Sequence, residues 1–217
     1  MGLAMFDYDG VIVDSFDQVA RDFAEACRAN GFYGINTKED LAILHDGNCY
    51  EQMMKLGLPE WKVDKIIRDY EAIAGNHLEE IPLFEGMAEA LRLIAGRHKI
   101  VIITSNISEQ VRNVLKKRGI TCVEDVIGAE LEKSKVKKIR RVMQLYSVFP
   151  AYYIGDTVGD IIEGREAGVL TVGVAWGWHD REKLESVSPD YLVSTPQELA
   201  AVLCSRPERE QNNGRRD

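Results

Sequence analysis

The sequence predicts an α/β fold, in which a parallel β-sheet carries helices on both faces and a small all-α segment is inserted after the first strand. Two observations favour this fold. From residue 82 onward, short apolar runs alternate with amphipathic helical patterns, which is typical of parallel strands joined by right-handed crossovers. Before residue 82, only the first apolar run suits a strand, and helical patterns follow it. A chain of 217 residues is long enough for one good core and a small satellite.

The first strand and the helical insert are predicted within residues 1–81. Residues 3–6 form an apolar run that suits a buried strand. The following residues repeat apolar side chains at the i, i+3, i+4 spacing of one helix face, and Asn30-Gly31 is a stop signal. Thr37 is expected to cap the second helix. Helices are predicted over residues 16–27, 38–44, 50–56 and 59–74.

Residues 82–205 are predicted to alternate between helices and strands. Ser108 and Thr195 are expected to cap helices, and Pro196 suits the first helical position. Helices are predicted over residues 87–95, 108–118, 134–146 and 158–167 and from residue 196, and strands over 99–104, 122–127, 152–154, 170–175 and 191–193. The predicted division is a core domain of residues 1–14 and 82–205, a helical domain of residues 15–81, and a disordered tail of residues 206–217.

Composition argues against several classes of partner. The formal charge of -8, without a basic stripe, argues against a nucleic-acid surface. The first strand begins too early to leave room for a signal peptide, and no apolar run approaches the roughly 20 residues of a membrane span. The four cysteines are scattered without a CxxC motif, which favours a reducing cytoplasm. We therefore expect a cytoplasmic protein, a monomer or a homodimer, that acts on a small molecule.

Polar side chains follow four of the predicted strands. In an open parallel sheet, ligands bind at the carboxyl ends of the strands, near the point where the strand order reverses. Alternate residues of a strand point to the same side, so Asp7 and Asp9 are expected to project together. The sequence therefore predicts one site built from these strand ends: Asp7 and Asp9, then Thr104-Ser105-Asn106, then Lys133 and Lys135, and finally Asp156.

The predicted site combines carboxylates with phosphate-binding groups. Asp156 and Asp160 are spaced i, i+4 and would repel each other on one helix face. Together with the two earlier aspartates they form a cluster that is unfavourable without a cation. Hard oxygen ligands select Mg²⁺ or Ca²⁺, and Mg²⁺ is the usual choice at phosphate sites. A hydroxyl, main-chain N–H groups and a lysine would bind phosphate oxygens. Taken singly, each of these segments is also compatible with an ordinary turn or helix start.

Four ordered motifs resemble those of the haloacid dehalogenase superfamily. They are DYDGV (residues 7–11), IITSN (102–106), a lysine after the next strand, and GDTVGD (155–160). The resemblance extends to Leu203 and implies a Rossmann-like core with a small helical cap. Residues 173–199 are similar to the closing segment of the phosphoglycolate phosphatase-like branch.

The resemblance implies a Mg²⁺-dependent phosphatase that hydrolyses a small-metabolite phosphomonoester through an aspartyl-phosphate. Asp7 would be the nucleophile, and Asp9 would protonate the leaving alcohol and bind the metal through its main-chain carbonyl. An acid at this second position points to phosphate chemistry, since a halide needs no proton to leave. The implied set is catalytic Asp7, Asp9, Thr104 and Lys135, substrate-binding Gly10, Ser105 and Asn106, and metal-binding Asp7, Asp9, Asp156 and Asp160.

Two parts of this assignment stay open in the sequence. Family members often have Lys-Pro at the third motif, whereas this chain has Glu-Lys-Ser-Lys; we favour Lys135, whose helix keeps its apolar face in register, over Lys133. His45 and Asn48 lie at a break in the insert and would contact substrate if that loop faces the site, or lie in an exposed turn if it does not. A strongly anionic leaving group would need a cation from elsewhere in the insert.

Two other functions are compatible with the same residues. A sugar phosphomutase, similar to β-phosphoglucomutase, would use the same aspartyl-phosphate but present a sugar hydroxyl instead of water. A non-catalytic phosphate-binding protein would use the carboxylates, the Thr104 hydroxyl and the lysine around Mg²⁺ without turnover. The substrate itself depends on the shape of the insert and its loops.

Overall fold

A computed structural model describes residues 1–205, and within them six parallel strands form one sheet. The strands are β1 (Gly2–Phe6), β2 (His98–Ile103), β3 (Val123–Ile127), β4 (Ala151–Gly155), β5 (Leu170–Val174) and β6 (Tyr191–Val193). Their order is β3-β2-β1-β4-β5-β6, and each neighbouring pair is parallel. The predicted α/β fold with a Rossmann-like sheet is therefore confirmed. The predicted disordered tail lies outside the described residues.

Helices cover both faces of the sheet. They are α1 (Phe16–Ala29), α2 (Lys38–Leu44), α3 (Cys49–Lys55), α4 (Glu60–Ala74), α5 (Met87–Ala95), α6 (Ser108–Lys117), α7 (Lys135–Tyr146), α8 (Val158–Ala167), α9 (Arg181–Glu185) and α10 (Pro196–Cys204). Ala4 and Phe6 pack in one cluster with α5, α6 and α10. Leu3 and Met5 point to the other face and pack against α7. Every residue of β1 is buried, as a central parallel strand requires.

The helices α1–α4, called the helical insert below, lie between β1 and α5 in the chain. Their apolar faces form a separate cluster that includes Phe23, Leu41, Met53 and Ile66. Thr37 caps α2 as expected: its side chain accepts from Asp40 N, and the Asp40 carboxylate accepts from the backbone of the cap. The domain boundaries at residues 15 and 81 stay a prediction.

Two local predictions are wrong in detail. Ser108 does not cap α6; Ile107 occupies that position, and the Ser108 N–H donates to Glu130 Oε2 at 3.2 Å. The short helix α9 has no counterpart in the predicted elements, although Asp180 accepts from Lys183 N at 2.8 Å as an ordinary N-cap. The first case depends on Glu130, which is distant from Ser108 in the chain, whereas the N-cap of α9 is a local signal.

The sheet places the end of β1 at the site predicted from topology. β1 lies between β2 and β4, where the strand order reverses, so the residues that follow these three strands meet at one edge. Within residues 1–205, none of the helices has the length and apolar character needed to cross a lipid bilayer.

Candidate active site

A cavity of about 850 Å³ opens between the carboxyl edge of the sheet and the helical insert. Most of the residues singled out in the sequence line it. From the core these are Asp7, Asp9, Ser105, Asn106, Lys133, Lys135, Asp156 and Asp160, and from the insert His45 and Asn48. Thr104 lies buried at the end of β2, and Gly10 lies against Asp156. The strand ends thus converge on one cavity.

Lys135 lies between two buried carboxylates. Its Nζ is 2.9 Å from Asp7 Oδ2 and 2.6 Å from Asp160 Oδ1. Burial raises the pKa of Asp7 to about 7, and Lys135 opposes that rise. Burial alone would also raise the pKa of Asp160, but the ion pair with Lys135 brings it below its usual range. The lysine therefore favours the charged form of both carboxylates; it outweighs the effect of burial at Asp160 but only partly offsets it at Asp7.

Asp160 is held at the start of α8 by a capping box. Thr157 Oγ1 accepts from Asp160 N at 3.2 Å, and Thr157 N and Oγ1 donate to Asp160 Oδ2 at 3.1 and 2.6 Å. The Tyr153 hydroxyl donates to Asp160 Oδ1 at 3.3 Å. Asp156 and Asp160 were expected to share one face of a helix. They do not, because Asp156 lies before the first residue of α8. Asp160 has little remaining capacity for further ligands.

Asp9 is oriented by Asn106. The Asn106 side-chain amide donates to Asp9 Oδ2 at 2.5 Å, and the Asn106 main-chain N–H donates to Thr104 Oγ1 at 3.0 Å. Asp9 Oδ1 is buried without a hydrogen-bond partner. Burial raises the pKa of Asp9, whereas the nearby Ser15 hydroxyl and the hydrogen bond from Asn106 oppose the rise. Asp9 is therefore protonated more readily in this buried environment than a carboxyl group exposed to water.

The backbone of two glycines and of Trp178 lies close against the Asp156 carboxylate. Its Oδ2 accepts from Trp178 N at 2.7 Å, whereas its Oδ1 is buried without a partner. A Cβ atom at Gly10 or at Gly177 would collide with this carboxylate, so both positions need glycine for close approach. Burial, together with the charges of Asp160 and Asp7, raises the pKa of Asp156 well above its usual value.

The donor set fits a divalent oxygen-binding cation. Asp7, Asp156 and Asp160 can each offer an oxygen, and these atoms lie within 4.8 Å of one another. The unpartnered Asp156 Oδ1 is a buried acceptor, which a cation would satisfy. Because the donors are all oxygens, Mg²⁺ suits them better than softer metals. The Asp9 side chain lies outside this trio, and the saturated Asp160 is better suited to holding Lys135.

His45 and Asn48 contact the core and their own helices. The His45 ring donates from Nδ1 to Leu41 O at 2.9 Å and meets the edge of Trp178 at 4.7 Å between ring centroids. Burial lowers the pKa of His45 to about 4, so the ring is neutral at physiological pH. Its carbonyl accepts from Gly159 N at 2.9 Å. Asn48 caps α3. These contacts attach the insert to α8.

Lys133 lies at the mouth of the cavity and contacts the insert. Its Nζ is 2.8 Å from Asp64 Oδ1 and lies over the ring of Tyr50 at 5.0 Å. The Tyr50 hydroxyl donates to the same carboxylate oxygen at 3.1 Å. The structure thus separates the two candidate lysines: Lys135 contacts Asp7, and Lys133 contacts α4.

Several residues at the site carry no isolated signal in the sequence. Tyr153 lies within a strand and reaches Asp160 only because β4 and α8 are adjacent in space. Trp178 lines the cavity and stacks on Phe16 with 5.1 Å between the ring centroids, which depends on the insert packing against the core. Thr157 did carry a signal, since Thr-x-x-Asp before a helix is a capping-box pattern.

Comparison with known proteins agrees with this geometry. The family model described as haloacid dehalogenase-like hydrolase matches residues 4–174. The chain belongs to this family. A phosphoglycolate phosphatase from Synechococcus elongatus is 28% identical over 207 residues, covering 94% of this chain and 97% of that protein. A pyrophosphatase PpaX from Bacillus cereus is 24% identical, covering 92% of this chain and 94% of that protein.

A solved structure supports the fold. A predicted phosphatase from Clostridium acetobutylicum superposes with a TM-score of 0.81 at 19% identity, covering 93% of this chain and 97% of that one. The family membership and the phosphoglycolate phosphatase-like branch inferred from the motifs are confirmed. The chain is an enzyme, a hydrolase of the phosphatase type.

Proposed function

We propose that this enzyme hydrolyses the phosphomonoester of a small metabolite, with Mg²⁺ as its cofactor and an aspartyl-phosphate on Asp7 as the intermediate. The observation that carries the proposal is the pairing of two differently held aspartates at the end of β1. Asp7 is bound to Lys135, which favours its charged form, whereas Asp9 is buried beside the neutral amide of Asn106. Two carboxyl groups with different environments suit a nucleophile and an acid.

In the first step, an Asp7 carboxylate oxygen attacks phosphorus, and the bond from phosphorus to the ester oxygen breaks. Lys135 lies 2.9 Å from Asp7 Oδ2 and offsets the negative charge of the incoming phosphoryl group. The main-chain N–H of Ser105, which lines the cavity, would bind a phosphate oxygen, and the family motif implies the same role for the Thr104 hydroxyl.

Asp9 transfers the proton in both steps. Its raised pKa favours the protonated form, which donates to the leaving alkoxide. The resulting carboxylate then accepts a proton from the water that attacks the aspartyl-phosphate. The bond from phosphorus to Asp7 breaks, inorganic phosphate leaves, and Asp9 is protonated again. Asn106 keeps the carboxyl group oriented through this cycle.

Asp7 and Asp156 are the residues best placed to hold Mg²⁺, with the Asp9 carbonyl as a third ligand implied by the family. When bound, Mg²⁺ reduces the repulsion between Asp7 and the phosphoryl group and stabilises the charge that develops during transfer. Asp160 orients Lys135 from the opposite side.

The substrate is proposed to be a small phosphorylated metabolite. A cavity of about 850 Å³ is larger than a phosphate group requires and falls within the usual range of small-molecule sites. The names of the relatives suggest phosphoglycolate and pyrophosphate as the first compounds to try. Among the described residues, Lys62 and Arg68 do not line the cavity, but Lys55 of the helical insert does, as do Lys133, Lys137 and Arg140 of the core. Cations are therefore present in the cavity, and a strongly anionic leaving group belongs in the substrate panel.

We also propose a cytoplasmic setting and a monomeric or homodimeric enzyme. All four cysteines, Cys27, Cys49, Cys122 and Cys204, are free thiols, which suits a reducing compartment.

The test is phosphate release from phosphoglycolate, pyrophosphate, several sugar phosphates and an aryl phosphate, measured with Mg²⁺ and with a chelator. Mg²⁺-dependent release that is lost with the chelator supports the proposal, and the ranking of kcat/KM defines the substrate class. A stable phospho-enzyme that requires a bisphosphate activator would instead indicate the phosphomutase. Binding of inorganic phosphate without turnover would indicate a phosphate-binding protein.

A further inference from the structure

Lys138 is a buried lysine beside the site that the steps above do not use. It lies on α7, three residues after Lys135, and is only 1% exposed. Its Nζ donates to the main-chain carbonyl of Thr104 at 2.7 Å. Within residues 1–205, no carboxylate lies within ion-pair distance of it. Burying a cation without a paired anion costs several kcal/mol, so its position requires an explanation.

The carbonyl that Lys138 contacts belongs to a peptide group facing the cavity. The Thr104 C=O and the Ser105 N–H form one trans peptide, in which the two groups point in opposite directions. Thr104 N donates to Ile127 O at 3.0 Å, which fixes the other side of the residue. Across the described residues, the Ser105 N–H donates no hydrogen bond, and Ser105 lines the cavity. An ammonium bound at the carbonyl end therefore fixes where the free N–H points.

We propose that Lys138 is a positioning residue that holds the Thr104–Ser105 peptide so that its N–H donates to the phosphoryl group of the substrate. This proposal rests on the proposed function. The ammonium also polarises the peptide, because hydrogen bonds in a chain strengthen one another in a low-dielectric setting. Its positive charge adds to that of Lys135 on the same helix face and offsets the charge that the phosphoryl group brings in.

Lys138 remains charged under physiological conditions. Burial lowers the pKa of Lys138 to about 8, with the charge of Lys135 acting in the same direction and the charges of Asp7, Glu163 and Glu130 acting against it. A group with that pKa is mostly protonated at neutral pH. The cation is therefore present when substrate binds.

The test compares Lys138→Met with Lys116→Met. Met is unbranched and one atom shorter than lysine, and replacing a buried charge with an apolar group of similar shape is often neutral for stability. Lys116 is the matched control, because it lies exposed on α6 and does not line the cavity. Circular dichroism and the Tm establish that both variants are folded.

We expect Lys138→Met to lower kcat/KM by roughly tenfold to a hundredfold, the usual effect of losing a hydrogen bond from a charged group. The loss should be equal for aryl and alkyl phosphates, because the Ser105 N–H contacts the phosphoryl group that all substrates share. The affinity for inorganic phosphate, measured by calorimetry, should fall by a similar factor, and Lys116→Met should match the wild type in every assay. A folded Lys138→Met with wild-type kcat/KM and phosphate affinity would overturn the proposal.

A second measurement covers a Lys138→Met variant that does not fold. In the ¹⁵N spectrum of the wild-type enzyme, the Lys138 ammonium and the Ser105 amide should both shift when inorganic phosphate binds. A Lys138 signal that does not respond to phosphate, or that belongs to a neutral amine at pH 7, would overturn the proposal. Failure of the proposed function is a separate result, because the wild-type enzyme would then release no phosphate from any substrate.

Discussion

Asp7 and Asp9 are two residues apart, and their surroundings give them different chemistry. Lys135 contacts Asp7, whereas Asn106 contacts Asp9. We expect Asp7→Asn to reduce kcat by roughly 10³-fold or more, since an amide oxygen is a poor nucleophile. The fold should be retained, because Lys135 keeps its ion pair with Asp160 at 2.6 Å when the charge of Asp7 is removed. Phosphate release at saturating substrate measures the effect, with the exposed Asp14→Asn as the matched control. Substantial Mg²⁺-dependent activity in Asp7→Asn would exclude Asp7 as the nucleophile.

Asp9→Ala should act through the leaving group. If Asp9 donates the proton, its loss matters most for alkyl phosphates, whose alkoxides leave poorly without one, and least for aryl phosphates. We expect kcat to fall by roughly 10²- to 10⁴-fold for the alkyl substrate. The measurement is kcat over a series of esters with increasing leaving-group pKa. A uniform loss across the series would contradict the assignment of Asp9 as the acid.

At the level of single residues, the sequence predicts the site residues whose positions follow from the strand topology alone. Asp7, Asp9, Thr104 and Asp156 follow strands, so the topology brings them together before any side-chain contact is known. The sequence cannot assign Lys138, because its role depends on α7 packing against the end of β2. The two candidate lysines were separable only by register, and the contacts of Lys133 with α4 became visible in the structure.

Among the elements, the N-terminus of α8 links the catalytic carboxylates to the helical insert. Gly159 N donates to His45 O at 2.9 Å. The buried His179 bridges the same junction: its Nδ1 accepts from Val158 N at 3.0 Å, and its Nε2 donates to Ala42 O at 2.9 Å. The insert is thus held to the helix that positions Asp160.

Gly159→Ala should loosen this junction. A Cβ at Gly159 would lie 2.9 Å from Gly47 O and 3.0 Å from His45 O, so the backbone of the insert must move. We expect a loss of about 1–3 kcal/mol in the free energy of unfolding, as for other overpacked sites, although alanine favours a helix. KM should rise as the insert is displaced from the cavity. Urea unfolding and steady-state kinetics measure the two effects.

Gly47→Ala is the matched control for this junction. It adds a Cβ on the insert side of the junction, but that atom would meet only the end of the flexible Gln52 side chain, at 2.8 Å. It should therefore change stability and KM less than Gly159→Ala does. Equal effects of the two substitutions would show that the backbone contact at Gly159 has no special role.

The sequence predicts most of the elements because their patterns are local. β1 and α5 follow from apolar runs and helical spacing, and Thr37 signals the start of α2. The start of α6 was mispredicted because Glu130, distant in the chain, binds the N–H that Ser108 was expected to cap. Contacts between elements, such as those of His179, cannot be derived from periodicity.

For the whole molecule, the fold buries four carboxylates at one sheet edge, which is unfavourable without compensating charge. Asp7, Asp9, Asp156 and Asp160 converge there, and burial raises the pKa of the first three. Lys135 satisfies only part of this charge. The strand order that creates the site therefore also creates a demand for a cation, and Mg²⁺ should stabilise the folded chain.

The stabilisation by Mg²⁺ should depend on pH with a defined sign. The pKa of Asp7 is about 7 in the folded protein without metal, and that of Asp156 is also raised. Below those values the folded protein holds protons that Mg²⁺ must displace, so its apparent affinity falls as the pH falls. We expect the increase in Tm on adding Mg²⁺ to be larger at pH 8 than at pH 5.5. Histidines outside the site contribute equally with and without Mg²⁺, so the difference in Tm isolates the carboxylates.

Two variants make this measurement specific to the site. Asp156→Asn replaces a carboxylate that has a free buried oxygen, and it should lose most of the Mg²⁺-induced increase in Tm at both pH values. Asp14→Asn changes an exposed carboxylate seven residues after Asp7 and should keep the full increase. Because an asparagine side chain does not titrate, the remaining pH dependence in Asp156→Asn reports the other buried carboxyl groups with raised pKa values, Asp7 and Asp9. An increase in Tm that is equal at the two pH values in the wild type, or larger at pH 5.5, would mean that Mg²⁺ does not bind these carboxylates.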